Sequence, residues 1–346
     1  MSQRVVYLLG PEKLELRILP VPEPGPGELL VRIEAATTCG TDVKVFRRGG
    51  HPRMLKVPAP FGHELAGVVA AIGSGVSLWK AGDHVVVANS APCGACDYCL
   101  RSRENLCTDL QYLNGAFAEL ILVPPRFVER NTHRVPEDLA PEIAALTEPL
   151  ACVLHGLDAC ELKRPSDVLV YGGGPIGLLF VGALKLAGHQ VTLADPNASR
   201  LDVGRKLGAS QALQIARGGG QALEARTRAA DPAGFDCAID ATGVSEVWSD
   251  AIDSVRPGGV VNLFGGCAPG TSIQIDTHRI HYSEITLKGV YHHRPATIAR
   301  ALEMLASRSF EARLLLTAER PLDELEAALR SMMRKEALKV VIRPGR

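Results

Sequence analysis

What the chain lacks narrows the classes of protein it can belong to. No apolar run approaches the ~18 residues of a membrane span, and residues 1–7 show no apolar core before a small-residue cleavage site, which a secretion signal would have. The 38 basic and 38 acidic residues cancel, so no net charge attracts nucleic acid or an anionic membrane. Aromatic residues make up only 5% of the chain and say little about the shape of a pocket. We therefore expect a cytoplasmic protein with no nucleic-acid or membrane partner.

The remaining composition is that of an ordinary globular protein. Hydrophobic residues make up 46% and charged residues 22% of the 346 positions, and this length predicts two domains. Nine cysteines are an odd count, and four of them are clustered. Without an export signal, the cluster indicates a metal site rather than disulfides. The four cysteines that follow the cluster are expected to be small buried thiols, namely Cys152, Cys160, Cys237 and Cys267.

A glycine-rich stretch organises the second half of the chain. Residues 168–171 are apolar and mostly β-branched, as in a buried parallel strand. They run into Gly172, Gly174 and Gly177, which fit G-x-G-x-x-G, and a helix is expected from Pro175 to Ala187. Gly172 permits the tight turn, Gly174 lets the backbone approach a pyrophosphate, and Gly177 lets helix and strand pack closely. The pattern predicts a dinucleotide site, although glycine turns also occur for steric reasons alone.

The following strand supports the dinucleotide interpretation. Residues 190–195 are β-like and end in Asp195, about 20 residues after the fingerprint. A carboxylate there would accept the ribose hydroxyls and repel a 2′-phosphate, which favours NAD over NADP. The alternative is that Asp195 caps the next helix. Further strands are expected at 237–240, 259–264 and 285–290, and their alternation with helices predicts a doubly wound parallel sheet.

The first 90 residues have a different pattern, with alternating apolar and polar residues. They predict a compact all-β unit, divided by a proline- and glycine-rich segment at 20–27 that can continue neither strand nor helix. Helical periodicity returns at 141–159, where Thr147-Glu148-Pro149 is expected to interrupt it, and again at 297–307 and 323–335.

The clustered cysteines follow the spacing C-x2-C-x2-C-x7-C. Four thiolates within fifteen residues suit tetrahedral zinc, and a closed four-sulfur site leaves no position for catalysis. The alternatives are a cluster of reduced surface thiols, which would oxidise readily, and an iron–sulfur cluster. The single local lobe favours structural zinc, bound by Cys93, Cys96, Cys99 and Cys107.

Taken together, these motifs resemble the zinc-dependent medium-chain dehydrogenases over essentially the whole chain, and most of all their polyol (sorbitol/iditol) and threonine dehydrogenase branch. The matching landmarks are Cys39-Gly-Thr-Asp42, Gly62-His-Glu64, the four-cysteine lobe, Glu148-Pro-Leu150 and the glycine fingerprint followed by Asp195. The resemblance implies an α/β fold with a GroES-like β catalytic domain (1–152 and 291–346, with the zinc lobe at 90–110) and a doubly wound Rossmann NAD-binding domain (153–290). It also implies a homo-oligomer, dimer or tetramer, that pairs Rossmann sheet edges, and residues 260–264 are the expected edge strand.

The resemblance further implies a catalytic zinc. Cys39 and His63 would be direct ligands, Glu64 a ligand in the polyol branch, and Glu148 either a ligand or the holder of the zinc-bound water. Thr41 matches the hydroxyl that passes the substrate proton outward; it could instead be a turn residue that caps the next helix. Lys44 stands where the threonine dehydrogenases have a histidine, which weakens that specific interpretation. His51 could replace the missing histidine or be a solvated loop residue.

The resemblance also implies contacts to NAD, made by Gly172, Gly174, Pro175, Ile176, Gly177, Asp195, Arg200, Leu263, Phe264, Gly265, Val290 and Tyr291. Arg200 would lie over the adenine or pair with Asp195, or it could be a solvated helix residue.

These features predict a zinc- and NAD-dependent enzyme that moves hydride between a secondary alcohol, polyol or sugar-like, and NAD. The zinc would lower the pKa of the alcohol hydroxyl. The alternatives are an L-threonine 3-dehydrogenase, an aldose or simple alcohol dehydrogenase, a zinc-free quinone reductase, and a non-catalytic NAD-binding module that responds to redox state. The last would have no use for an open metal site at Cys39, His63 and Glu64.

Overall fold

The computed structural model describes residues 1–163, 165–220 and 231–345. The chain forms two compact units. The first contains Met1–Ala151, His293–Arg308 and Leu316–Arg346, and the second contains Cys152–His292 and Ser309–Leu315. The short segment Ser309–Leu315 therefore packs with the second unit, although the sequence placed it in the part of the chain that returns to the first.

In chain order the strands are β1 Ser2–Gly10, β2 Lys13–Pro20, β3 Leu29–Thr37, β4 Ala59–Pro60, β5 Leu65–Ile72, β6 His84–Val87, β7 Ser90–Ala91, β8 Gln111–Tyr112, β9 Leu120–Val123, β10 Thr132–Arg134, β11 Asp167–Tyr171, β12 Gln190–Asp195, β13 Gln211–Gln214, β14 Phe235–Asp240, β15 Val255–Leu263, β16 Thr286–Gly289, β17 Leu316–Pro321 and β18 Lys339–Arg343. Within the described ranges the helices are α1 Gly40–Arg48, α2 Asp97–Leu100, α3 Pro125–Arg130, α4 Pro141–Ala144, α5 Thr147–Cys160, α6 Pro175–Leu186, α7 Ala198–Lys206, α8 Ser245–Ser254, α9 Thr277–Tyr282, α10 Pro295–Ala306 and α11 Leu325–Met333. Short 3₁₀ turns occur at Glu104–Leu106, Ala312–Leu315 and Leu322–Glu324.

The first unit is built on a seven-stranded sheet in the order β10-β6-β5-β3-β18-β17, with β9 also paired to β3. Strand β3 therefore pairs with three others, β5, β9 and β18, all antiparallel. Val31 and Ile33 of β3 lie in the same apolar core as Phe61 and Phe117. Residues that follow the ends of these strands are consequently held close to one another.

The first 90 residues are not entirely β, because helix α1 spans Gly40–Arg48. Its segment Val43-Lys-Val-Phe46 contains β-branched residues that suit a strand, so the pattern gave no helix there, although the alternative role of Thr41 as a helix cap implied one. The cap at Cys39 and the burial of Val45 and Phe46 on one face decide in favour of the helix. The all-β prediction for this region was wrong at this point, and the helix matters because it begins at the candidate metal site.

The second unit contains a six-stranded sheet in the order β13-β12-β11-β14-β15-β16, with every pairing parallel. This is the doubly wound order of dinucleotide-binding sheets, and it confirms the expected fold class. Residues 260–264, expected to form the edge, lie instead on or next to β15, which pairs on both sides with β14 and β16. The edge strand on this side is Thr286–Gly289, which is short and weakly apolar and so gave a weaker signal.

The dispersed cysteines are not all buried. Cys160 and Cys237 are buried, as expected, but Cys152 and Cys267 are half-buried. Cys152 lies on the incompletely covered side of α5, and Cys267 follows β15 in a loop. The prediction of four buried thiols was therefore wrong for these two, because burial depends on tertiary packing that residue type alone does not set.

Helices α4 and α5 form a 20-residue apolar stretch, Pro141–Cys160, long and apolar enough to cross a membrane. No such run was expected from the sequence, because Glu142, Glu148 and Asp158 interrupt the apolar residues. Of its most apolar 18-residue window, 67% is buried within the protein, which is typical of a core helix. The break falls between α4 and α5, just before Thr147, and Pro149 lies in the first turn of α5, where its missing N–H leaves no hydrogen bond unmade.

Candidate metal and cofactor sites

Cys39 is held at the start of a helix. It is the N-cap of α1, and its Sγ accepts a hydrogen bond from the Thr41 backbone N–H at 3.4 Å. The Cys39 backbone N–H in turn donates to Asp42 Oδ2 at 2.8 Å. The first turn of α1 therefore fixes the position of the Cys39 sulfur.

His63 is oriented by the same aspartate. Its Nδ1 lies 2.9 Å from Asp42 Oδ1, and both side chains are almost fully buried. Burial opposes protonation of the ring, but the Asp42 charge outweighs it and raises the pKa of His63 well above its usual value. An Asp–His contact of this kind fixes the ring so that Nε2 is left for a metal ion, which would replace the proton.

Glu64 is completely buried, and its two oxygens differ. Oε2 accepts hydrogen bonds from the Thr37 hydroxyl and, at 2.6 Å, from the Lys339 ammonium. Oε1 is buried and has no hydrogen-bond partner in the described part of the chain. Leaving a buried carboxylate oxygen unpaired costs free energy. Of the two Glu64 oxygens, Oε1 is therefore the one that a bound cation would stabilise more.

These three side chains form one donor set. Cys39 Sγ, a His63 ring nitrogen and a Glu64 carboxylate oxygen all lie within 4.8 Å of one another. One sulfur, one nitrogen and one oxygen suit zinc, and three protein ligands leave a fourth position open, as in catalytic zinc sites. The residues therefore fit a catalytic zinc.

Glu148 lies outside this donor set but within its electrostatic reach. It is buried, and burial raises the pKa of its carboxyl to about 7; the charges of Glu64 and Asp42 add to the rise, while those of His63 and Lys339 oppose it. Its Oε1 is 4.0 Å from His293 Nε2. The structure therefore places Glu148 beside the donor set rather than in it.

The candidate proton-transfer residues show less definite geometry. Thr41 is half-buried, and its backbone N–H is bound to the Cys39 sulfur. Lys44 is exposed. His51 is half-buried; its Nδ1 accepts from the backbone N–H groups of Arg53 and Met54 at 3.2 and 3.0 Å, and burial and then the His63 charge lower its pKa. The roles of Thr41 and His51 stay predictions.

The four-cysteine lobe brings its sulfurs together. All four lie within 4.8 Å of one another, with Cys96 Sγ 3.5 Å from Cys99 Sγ and Cys93 Sγ 3.9 Å from Cys99 Sγ. Sulfurs around one tetrahedral zinc at ~2.3 Å stand about 3.8 Å apart. Backbone hydrogen bonds lower the pKa of Cys96 to about 6, whereas burial raises that of Cys99 to about 12. A divalent cation would allow all four to be thiolates, so the lobe fits a structural zinc.

The glycine fingerprint has the geometry that a bound pyrophosphate needs. Gly172 has φ +103°, in the left-handed region. A Cβ on Gly177 would lie 1.8 Å from the Gly172 carbonyl oxygen, whereas a Cβ on Gly174 would meet nothing within 4 Å. Gly174 is the N-cap of α6, with Pro175 next and no side chain capping the helix. The helix N-terminus, including Ile176, therefore fits a phosphate group.

Asp195 closes this turn. Its Oδ2 accepts from the Gly173 backbone N–H at 2.6 Å and its Oδ1 from the Asn197 N–H at 2.7 Å. Arg200 lies beside the same turn, because its Cβ would be 3.0 Å from a Cβ added to Gly173. The expected carboxylate is thus at the carboxyl edge of β12, next to the phosphate-binding turn.

The remaining predicted cofactor residues follow neighbouring strand ends. In the sheet register Asp240 is opposite Leu263, and Leu263 is opposite Gly289, which precedes Val290 and Tyr291. A Cβ on Gly265 would lie 2.2 Å from the Gly243 nitrogen. These residues lie at or just after the carboxyl ends of the parallel strands, where doubly wound folds bind ligands. Phe264 differs, because its ring packs edge-on against Phe180 of α6, with centroids 5.1 Å apart.

Three residues that shape these sites were not predicted from the sequence. Asp42 was quoted only as part of a motif, although its place three residues after the N-cap is a capping-box signal. Lys339 gave no signal, since a lysine at the start of a strand is usually exposed. Trp248 donates its Nε1–H to Asp240 Oδ2 and to the Gly265 carbonyl, both at 3.1 Å. It therefore connects the carboxyl end of β14 to the loop that follows β15.

Comparison with known proteins agrees with this geometry. The chain matches the alcohol dehydrogenase GroES-like domain over residues 25–136 and the zinc-binding dehydrogenase family over residues 175–307. It is 37% identical to D-altritol 5-dehydrogenase of Agrobacterium fabrum, covering 89% of each chain. It is 31% identical to sorbitol dehydrogenase of Bacillus subtilis, covering 100% of this chain and 98% of that one. It is 29% identical to L-threonine 3-dehydrogenase of Idiomarina loihiensis, covering 93% of each.

A solved structure is similarly close. A Sinorhizobium meliloti protein described as a zinc-binding dehydrogenase and bound to NADP has a TM-score of 0.91 and 30% identity, over 99% of this chain and 100% of that one. The chain is therefore a member of the zinc-dependent dehydrogenases that combine a GroES-like domain with a Rossmann-like domain. Within that family it belongs with the polyol and threonine dehydrogenases. It is an oxidoreductase that uses zinc and a nicotinamide cofactor, which rules out the non-catalytic module.

We expect Cys93→Ser to lower the free energy of unfolding by about 3 kcal/mol or more, because a closed metal site contributes folding free energy directly. Thermal unfolding with and without a zinc chelator measures this. Cys267→Ser, a half-buried cysteine outside the cluster, is the matched control and should change stability by less than about 1 kcal/mol. Equal losses in the two variants would contradict a structural metal in the lobe.

The two fingerprint glycines should respond differently to alanine. Gly177→Ala places a Cβ against a backbone carbonyl and should destabilise the chain by about 1–3 kcal/mol. Gly174→Ala meets open space, so the fold should persist while affinity for the cofactor falls roughly tenfold or more, ~1.4 kcal/mol. Thermal unfolding and cofactor titration by calorimetry separate the two effects. Full cofactor affinity in Gly174→Ala would show that no pyrophosphate lies against this turn.

Proposed function

We propose that the chain reversibly oxidises a secondary alcohol of a polyol or sugar-like compound to a ketone, with NAD as the hydride acceptor. The observation that carries the proposal is the buried donor set of Cys39, His63 and Glu64, in which Glu64 Oε1 has no hydrogen-bond partner among the described residues. Because the chain belongs to the zinc-dependent dehydrogenases, a metal ion held by this donor set would serve the oxidation of the alcohol.

The residues have separate parts in this reaction. Zinc, when bound, supplies Lewis-acid polarisation of the substrate hydroxyl, and NAD supplies a hydride acceptor. Cys39, His63 and Glu64 hold the ion, and Asp42 fixes the His63 ring. Glu148, whose pKa of about 7 lies near neutrality, holds or releases a proton beside the donor set.

Proton transfer away from the site is assigned to Thr41. Its side chain lies two residues beyond Cys39, at the start of α1, and its hydroxyl can both accept and donate a proton. Lys44 occupies the position of the next relay group in the threonine dehydrogenases and is exposed. We therefore assign the further transfer to solvent or His51.

The relatives support a polyol as substrate. One is a D-altritol 5-dehydrogenase and another a sorbitol dehydrogenase, both named for polyol substrates. L-threonine 3-dehydrogenases are also similar, and threonine is the second candidate. Lys44 in place of the histidine of that pattern favours the polyol.

We further propose two zinc ions per chain and NAD as the preferred dinucleotide. Two of the clustered groups of possible metal ligands match a predicted zinc site, the donor set at Cys39 and the lobe at Cys93–Cys107. The buried Asp195 carboxylate beside the phosphate turn would repel a 2′-phosphate. The NADP-bound relative shows that NAD is not universal among similar proteins, so this preference depends on Asp195 itself.

The clustered free thiols favour the reducing cytoplasm as the compartment. A homo-oligomer, a dimer or tetramer, is proposed from the sheet edge at Thr286–Gly289, which forms one border of the parallel sheet in the described part of the chain. Exposed edge strands of this kind pair with other copies.

The decisive experiment combines metal analysis with Cys39→Ser. The unchanged chain should contain two zinc ions, and Cys39→Ser should contain one, with turnover reduced at least about a thousandfold, ~4 kcal/mol, and a thermal midpoint close to the original. NAD reduction is screened with polyols, sugars, threonine and simple alcohols. Full activity in Cys39→Ser would refute the site, and threonine turnover far above that of every polyol would reverse the order of the two substrates.

Cofactor choice is tested with Asp195→Asn, which keeps an oxygen for the Gly173 N–H but removes the charge. We expect the ratio of kcat/KM for NAD over NADP to fall about a hundredfold, ~2.7 kcal/mol. Asp202→Ala is the control, because Asp202 is exposed on α7 and paired with Arg205. If both variants keep the original ratio of kcat/KM for NAD over NADP, the Asp195 carboxylate does not recognise the ribose.

A further inference from the structure

Lys339 is an unusual residue in the first unit because its charge is buried. It begins β18, its side chain is 1% exposed, and its ammonium donates to the Thr38 carbonyl at 2.7 Å and to Glu64 Oε2 at 2.6 Å. Taking an ammonium and a carboxylate out of water costs several kcal/mol per ion, and apolar residues of similar size often serve stability as well. A role beyond stability therefore accounts better for a lysine at this position.

The contacts of Lys339 restrict Glu64 rather than simply neutralise it. With the Thr37 hydroxyl and Lys339 both bound to Oε2, the Glu64 carboxylate cannot rotate without breaking two buried hydrogen bonds. Its other oxygen, Oε1, is buried and has no hydrogen-bond partner among the described residues, and a carboxylate oxygen of Glu64 lies within 4.8 Å of the Cys39 and His63 donor atoms. Lys339 and Thr37 therefore leave Oε1 as the Glu64 oxygen that is available to a metal ion.

The backbone around Lys339 is fixed by the neighbouring strand. Val340 donates its N–H to the Thr38 hydroxyl at 2.8 Å, and the Thr38 N–H donates to the Val340 carbonyl at 3.0 Å. Thr38 immediately precedes Cys39, so the same strand pairing locates both the ammonium and the thiol. Because the backbone of Lys339 is fixed, its ammonium can limit the rotation of the Glu64 carboxylate through both its volume and its charge.

We propose that Lys339 is a positioning residue that restricts Glu64 to a single ligand oxygen, Oε1, and so keeps one position on the metal open for exchange. This inference rests on the proposed metal site at Cys39, His63 and Glu64. A carboxylate free to present both oxygens would fill that position, and a site without the nearby ammonium would hold a cation more tightly.

The test uses Lys339→Met, which keeps the length of the side chain and removes its charge. Zinc affinity of the catalytic site is measured by chelator competition, and the coordination of Co²⁺ in its place by visible absorption. We expect zinc to bind at least tenfold more tightly, the Co²⁺ bands to weaken as a further oxygen enters the shell, and kcat to fall. In a Glu64→Gln background, Lys339→Met should leave the Co²⁺ spectrum unchanged, because the carboxylate that it controls is gone, while zinc affinity rises only through the loss of the nearby positive charge.

Arg343→Met is the matched control. Arg343 lies four residues on in the same strand and pairs with Glu142 at 2.9 Å and Glu319 at 3.1 Å. Loss of this pair should lower stability equally with and without zinc, and it should leave zinc affinity and the Co²⁺ spectrum as they were.

An unchanged or weaker zinc affinity in Lys339→Met, with an unchanged Co²⁺ spectrum, would overturn the inference. If Lys339→Met alone does not fold, the comparison of Lys339→Met/Glu64→Gln with Glu64→Gln decides, since the double variant leaves no unpaired buried charge; a difference in the Co²⁺ spectrum between these two would also overturn the inference. Retention of both metals in Cys39→Ser is a separate result, and it would refute the metal site itself.

Discussion

The antiparallel pairing of β18 with β3 is the contact on which the geometry of the metal site depends. Through it, Val341 lies opposite Thr37 and Ile342 opposite Ala36. The pairing delivers Lys339, from near the end of the chain, to the backbone just before Cys39. Strand β5 pairs with β3 from the other side and is preceded directly by His63 and Glu64. One central strand therefore collects donors that are far apart in sequence.

The electrostatics of the site follow from this convergence. Asp42, Glu64 and Glu148 are all buried there with the Cys39 thiol, against Lys339 and His63 as the nearby cations. Burial disfavours the charge of Lys339, yet Glu64, Cys39 and Asp42 hold the pKa of its ammonium above the usual range. An acidic, desolvated cluster of this kind suits a divalent cation, which compensates charges that water would otherwise solvate.

In the second unit the main constraint is different, because the backbone must be able to come close to a phosphate group. Gly177 allows α6 to touch the Gly172 carbonyl, and Asp195 fixes the turn between them through the Gly173 N–H. At the neighbouring strand end Asp240 accepts from the Gly243 N–H and from Trp248, while burial raises the pKa of its carboxyl. Both carboxylates accept hydrogen bonds from backbone N–H groups, and these bonds connect the turns that follow β12 and β14 to the ends of the strands.

The sequence by itself determined the doubly wound sheet, the glycine turn with its acid, and the four-cysteine lobe, because each is a short segment in which a few covalent bonds fix the spacing of the residues. It also pointed to Cys39, His63 and Glu64, but only through resemblance, since no local rule joins residue 39 to residue 63. Tertiary structure alone decided that α1 is a helix, that Glu148 lies beside the donor set, that β16 rather than β15 is the edge strand, and that Lys339 reaches Glu64. These outcomes depend on packing and strand register between distant segments. The type and spacing of side chains within one segment do not determine which strands will pair.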